Sequence, residues 1–196
     1  VFAPNTDHPD EISANYSELL LKKSPSNDAL RLSLIDLYLG LAQFEKAQHH
    51  LPLLQSVEPD LKNYYQFKVD AQTALGLNLD QQYVPLRHRL KELKFDSLDA
   101  NQQERLADLA LQLDTAPIAA LIYENLANTH ANTHADEQQI HYLDLAAKWY
   151  FAGNQHYKAA ELHSLLAEKS TGQQRTDYQR LVVADYLATN DPAAAV

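Results

Sequence analysis

Residues 40–59, GLAQFEKAQHHLPLLQSVEP, read as the second half of a helical hairpin that closes on a proline. Just upstream, Leu30, Leu34, Leu37, Tyr38 and Leu41 make an apolar stripe at helical spacing, started by Asn27 or Asp28 as cap. After Gly40 and Ala42 a second helix is predicted to carry Phe44, Ala47, Leu51 and Leu54. Pro52 falls inside it, where it should remove the hydrogen bond to the Gln48 carbonyl and bend the helix. Pro25 and Pro59 stand 34 residues apart. That distance is long enough for one helix–turn–helix unit and invites a search for others.

The rhythm continues outward. Residues 1–10 carry two prolines and no periodicity, and read as a flexible lead-in. A partial unit over 11–25 is marked by Ile12, Tyr16, Leu19 and Leu20. The unit at 28–59 is followed by a degenerate one at 61–94 and a better one at 99–127, with Leu106, Ala107, Ala110, Ala119, Tyr123 and Leu126. Ala119 lies 72 residues after Ala47, two units of about 36. An inserted loop near 128–137 precedes a unit at 138–169 with Ala146, Ala147, Tyr150, Ala159 and Leu166. Val182, Val183 and Tyr186 begin an incomplete unit at 174–196, in which TNDPAAAV opens another helix; the chain is therefore expected to be a piece of a longer protein.

Composition agrees with helices and excludes several functions. Four glycines in 196 residues are too few for a turn-rich β fold. Sixteen basic against 26 acidic residues give a net charge of −10, which argues against nucleic acid and anionic membranes as partners. No stretch approaches the roughly 20 apolar residues that span a bilayer. Cysteine is absent, which removes disulfides and thiolate chemistry but fits the cytoplasm as well as an oxidising compartment.

The stretch from Asp28 to Pro59 resembles the tetratricopeptide repeat family: Leu34 and Tyr38 take first-helix packing slots, Phe44 the aromatic slot after the turn, Ala47 the small-residue slot, and Pro59 closes the unit. Ile35, Gly40 and Pro52 depart from the pattern. The resemblance implies an all-α, right-handed superhelical array over residues 11–196, since one hairpin cannot bury both faces of its helices alone. It also implies a concave groove lined by first helices. The groove positions so carried over are Leu32, Asp36 and Leu39; Asn63, Gln66 and Asp70; Asn101, Glu104, Asp108 and Gln112; and His141, Asp144 and Lys148. Aspartate stands where family members that clamp a terminal carboxylate carry asparagine, so such a clamp is not expected; the clustered carboxylates, read as a ligand-binding face rather than a merely solvated one, make a cationic protein segment or polymer the expected partner.

No catalytic constellation is present: there is no nucleophile elbow, phosphate loop or zinc-helix motif, and no cofactor is expected. His130, His134 and His141, with Asp136 and Glu137 nearby, offer the alternative of a metal- or small-ligand-binding region, against their reading as a solvated loop. His49 and His50 are adjacent and are expected on the solvated surface, and Trp149, Tyr150 and Phe151 between helices. Self-association as a structural module is a further alternative. Finally, residues 16–47 and the block AAKWYFAGNQHYKAAEL are similar to repeat segments of Pel-type exopolysaccharide export proteins, which implies a periplasmic setting in an envelope export system; a cytoplasmic one is the alternative.

Overall fold

The computed structural model describes residues 9–131 and 136–189. Its contacts divide the chain into two compact units, Val1–Ser97 and Leu98–Val196. Among the described residues every regular element is helical. In the first unit, α1 (Pro9–Lys23), α2 (Asp28–Gly40), α3 (Phe44–His50), α4 (Pro59–Gly76) and α5 (Tyr83–Glu92) pack each against the next, and α2 also meets α4. In the second, α6 (Ala100–Gln112), α7 (Ala116–Ala131), α8 (Asp136–Ala152), α9 (His156–Lys169) and α10 (Gly172–Ala188) do the same.

Local chemistry sets the helix starts. The Asn27 side chain accepts from the Leu30 amide at 3.0 Å, so Asn27 caps α2. Asp28 is thereby free to reach further along the chain. Its Oδ2 accepts from the Gln55 and Ser56 amides at 3.0 and 2.6 Å, tying down the segment after α3. At α6, Asp99 and Gln102 form a reciprocal capping box. Pro9, inside the expected lead-in, instead starts α1, with Asp10 and Glu11 in the first turn where the helix dipole favours acids.

One turn recurs four times. Ala42, Asn78, Asp114 and Asn154 each adopt a left-handed conformation, with φ of 55, 52, 54 and 58°. They follow one another at 36, 36 and 40 residues. In each case the next residue's amide reaches back five residues: Gln43 to the Tyr38 carbonyl, Leu79 to Ala74, Thr115 to Ala110 and Gln155 to Tyr150, at 2.8, 2.8, 2.9 and 2.8 Å. This closure satisfies carbonyls that the end of a helix leaves free. Gly40 is not used for it; the glycine ends α2 with nothing near it, and an alanine takes the strained conformation.

Five residues after the left-handed position stand Ala47, Ala119 and Ala159, each fully buried. There two helices approach too closely for a larger side chain. The second hairpin has Tyr83 at this place, half-buried, and enters α5 through a 3-10 turn at Asp80–Gln82. This explains the degenerate appearance of residues 61–94. Close approach is solved differently at Gly76, where any side chain would collide with the Phe44 ring. The core of the first unit is built on Leu34, Ile35, Tyr64, Phe67 and Leu90, and that of the second on Leu106, Ile122, Leu126, Tyr150 and Leu166.

Two expectations are corrected. Pro52 does not bend a continuing helix: α3 stops at His50, and Leu51–Leu53 form a 3-10 turn in which Pro52 needs no amide partner. The insertion expected at 128–137 is helical up to Ala131 and again from Asp136, so it lengthens α7 and α8; residues 132–135 lie outside the described residues.

Candidate functional site

The residues expected to line a groove divide by unit and by partner. In the first unit Asp36 is held by a cation: the Lys68 Nζ donates to Oδ1 at 2.7 Å and the Tyr65 hydroxyl to Oδ2 at 3.3 Å. Lys68 is only 3% exposed and lies over the Tyr64 and Tyr65 rings. Asp70 likewise binds Arg89 Nη1 at 2.7 Å and Gln66 Nε2 at 3.1 Å. Counted back from the left-handed turn residue, Asp70 occupies the place of Leu34, Leu106 and Ala146, which is a core position. The second-hairpin counterparts of Asp36 and Glu104 are Gln72 and Lys68, so the sequence register there is off by two residues. Neither acid of the first unit presents an uncompensated charge.

The second unit treats its acids differently. Glu104 accepts a short hydrogen bond from the Tyr142 hydroxyl. Asp108 acts on the Tyr123 hydroxyl, and Asp144 on that of Tyr178, through charge and hydrogen bonding. Glu104 to Tyr142 (α6 to α8) and Asp144 to Tyr178 (α8 to α10) are the same contact one hairpin apart, because Tyr178 follows Tyr142 by 36 residues and Asp144 follows Glu104 by 40. Burial first, then the neighbouring carboxylates, push Tyr123 and Tyr142 up to about 12 and raise Tyr178 as well. These tyrosines therefore stay protonated donors at ordinary pH.

Tyr142 is the hub of the cluster. Tyr123 and His130 stack on it at 6.3 and 5.2 Å, and His141 lies tilted at 5.5 Å. Asp108, His141, Asp144 and Lys148 are exposed, while Tyr123 and Tyr142 are buried beneath. His141, Asp144 and Lys148 share one face of α8 through their i, i+3, i+7 spacing. Lys148 lies over the Trp149 ring at 4.8 Å. The outcome is a surface where Asp108 and Asp144, with His141 and Lys148 beside them, stand on an aromatic floor. Tyr150 alone of the aromatic run 149–151 is fully buried, and Phe151 is exposed.

The histidine alternative gains no geometry. Among the described residues no group of three histidine, cysteine or acidic side chains could hold a metal ion, and His134 lies outside them. His130 is engaged with Tyr142.

One cluster escaped sequence reading. His50, expected at the surface, is 4% exposed, and Arg31 is 5% exposed. Arg31 Nη1 donates to His50 Nδ1 at 3.2 Å, and His50 Nε2 donates to Glu18 Oε1 at 3.0 Å. The Tyr38 hydroxyl meets the same oxygen at 2.8 Å. Burial is the largest influence on His50 and holds its pKa below the usual histidine value, which keeps it neutral between donor and acceptor. For Glu18 burial acts upward, but the Tyr38 and His50 hydrogen bonds and the nearby charges prevail and lower it. The signal was available in spacing: His50 follows core Ala47 by three residues on one helix face.

No family model matches the chain, and no curated protein matches it. Among solved structures it is similar to BtubC (BKLC) from P. vanneervenii, at 16% sequence identity and a TM-score of 0.47, over 95% of this chain and 84% of that one. Among the described residues no helix is long and apolar enough to cross a membrane.

Proposed function

We propose that this protein is a non-enzymatic, tetratricopeptide-like superhelical scaffold that binds a cationic partner on the acidic and aromatic face of its second unit. Four copies of one left-handed turn, spaced 36, 36 and 40 residues apart, support the repeat reading. The observation that carries the binding reading is the choice of partners. Asp36 and Asp70 are neutralised by Lys68 and Arg89, whereas Glu104, Asp108 and Asp144 are fixed by tyrosines that add no positive charge. A hydroxyl orients a carboxylate and leaves its field intact, so amine-bearing groups are attracted there.

The ligand is a basic protein segment or a polymer with free amines. A partly deacetylated exopolysaccharide in a periplasmic export system is the form that the similarity of residues 16–47 and 146–162 to Pel-type repeats suggests. Each exposed charge pair contributes about 0.2–1 kcal/mol, so affinity is modest and depends on several contacts at once. Binding of basic peptides and of deacetylated amino-sugar oligomers is to be measured at low and high salt. Salt-sensitive binding that is lost in an Asp108→Lys/Asp144→Lys double variant supports the reading. Binding indifferent to both salt and charge reversal removes it.

A further inference from the structure

The buried Arg31–His50 pair occupies positions that the other hairpins fill mainly with apolar side chains. Counted from the left-handed turn residues, the counterparts are Phe67 and Leu86, Gln103 and Ile122, and Leu143 and Leu162. All six are buried. A hairpin that replaces this core pair with a guanidinium and an imidazole loses apolar burial and must also desolvate a charge. Packing alone gives no reason for the exchange.

The guanidinium is incompletely satisfied. Nη1 is bonded to His50 and Nη2 to the Pro25 carbonyl, while Nε is buried and has no partner. Among the described residues no carboxylate is within ion-pair distance of it; Glu18 is reached only through His50, and Asp28, one turn earlier, gives its Oδ2 to the Gln55 and Ser56 amides while its Oδ1 is buried without a partner. Beside it opens a cleft of about 210 Å³ lined by Glu18, Leu21, Lys22, Arg31, His49 and Leu53. Beside neutral His50, Lys22 and Arg31 against Glu18 leave one positive charge in a chain whose net charge is −10.

We infer that this cleft is a binding site for a small monocarboxylate, held by Lys22 and His49 at its mouth and drawn inward by the Arg31 guanidinium. Tyr38 and His50 both donate to the same Glu18 oxygen and fix that carboxylate's direction, while Lys22 acts on its charge. The single net positive charge suits a singly charged carboxylate better than a phosphate dianion, which Glu18 repels. The cleft lies within the first unit and is independent of the acidic face described above.

The test is titration of the whole chain with acetate and, separately, inorganic phosphate, each against chloride at constant ionic strength. Amide resonances of His49 and His50 and the thermal midpoint are followed. The site predicts a saturable acetate response with a raised midpoint, a weaker phosphate response, and roughly threefold weaker acetate binding in Lys22→Ala. An Arg31→Phe/His50→Leu double variant installs the pair of the second hairpin, and should fold and lose the acetate response entirely. No saturable response in the wild type, or an equal one in that variant, overturns the inference. If the double variant fails to fold, Lys22→Ala and His49→Ala decide: acetate binding unchanged in both overturns it, and weaker binding in either upholds it.

Discussion

The two units use one hairpin and compensate their acids differently. Residues 1–97 hold 10 basic and 13 acidic side chains, a net of −3; residues 98–196 hold six and 13, a net of −7. In the first unit three half-buried acids meet cations or histidine: Asp36 with Lys68, Asp70 with Arg89, Glu18 with His50. In the second, Glu104 meets Tyr142 and Glu124 meets Tyr150 at 2.6 Å, while buried Asp185 meets His163 at 2.6 Å. The units do share one such pair, since Tyr38 to Glu18 repeats Tyr150 to Glu124, each linking the end of a first helix to the helix before it. The difference separates two things that a partner can do for an acid. A lysine cancels its charge and a tyrosine only fixes its direction, so units with the same turns present different fields.

The comparison breaks most sharply at Lys68. Lys68→Ala should cost about 2–3 kcal/mol, below the roughly 3–5 kcal/mol of a fully buried pair because the Asp36 side chain is 30% exposed. Tyr142→Phe removes a neutral donor and should cost only about 1–2 kcal/mol. Denaturant unfolding of both variants checks the order; equal losses would mean that cation and hydroxyl stabilise their acids alike.

Next come the positions where the units agree. Ala47→Leu in one unit and Ala119→Leu in the other should each destabilise by about 1–3 kcal/mol, because overpacking at a close helix crossing forces strain. Thermal melts followed by circular dichroism measure this. A tolerated leucine in either unit would mean that its crossing is looser than its buried alanine indicates.

The smallest effects are in pH, and they run in opposite directions. His50 is held below its unfolded value of 6.5, so the unfolded chain takes up the proton first, and stability falls as pH drops below about 6.5. Glu18 adds to this loss at lower pH, as its lowered folded value is approached. Tyr123 and Tyr142 are raised from 10 to about 12, so their contribution is complete below pH 10 and is lost as pH rises toward 12. Unfolding midpoints across pH check both limbs, with Arg31→Phe/His50→Leu expected to flatten the histidine part of the acid limb and Tyr142→Phe the alkaline one. An acid limb unchanged in the first variant would place the loss elsewhere than His50.

Much of the scaffold is legible in the sequence because its information is local. Helix stripes such as Leu30–Leu34–Leu37–Leu41 need only the 3.6-residue period, and Ala47 and Ala119 declare a close crossing by their size. Asn27 announces a helix start within three residues of its own amide partner. Where the local rule is ambiguous, the pattern misleads. In the second hairpin the small-residue slot holds Tyr83, and with that marker gone Asp70 reads as a groove residue although it lies beside the core. Pro52 reads as a bend in a helix because proline forbids an amide bond without saying whether the helix continues.

The sequence by itself determined the helices, their hairpin pairing and the acidic balance, since these follow from spacing and composition. Only the tertiary structure decided which acids keep their field. Tyr142 reaches Glu104 across 38 residues, Lys68 reaches Asp36 across 32, and His50 reaches Glu18 across 32. The face a helix shows its neighbour depends on how the intervening hairpin packs, and a shift of two residues moves a side chain from surface to core. A carboxylate in a sequence has a charge; whether a lysine or a tyrosine stands opposite is settled only when the helices meet.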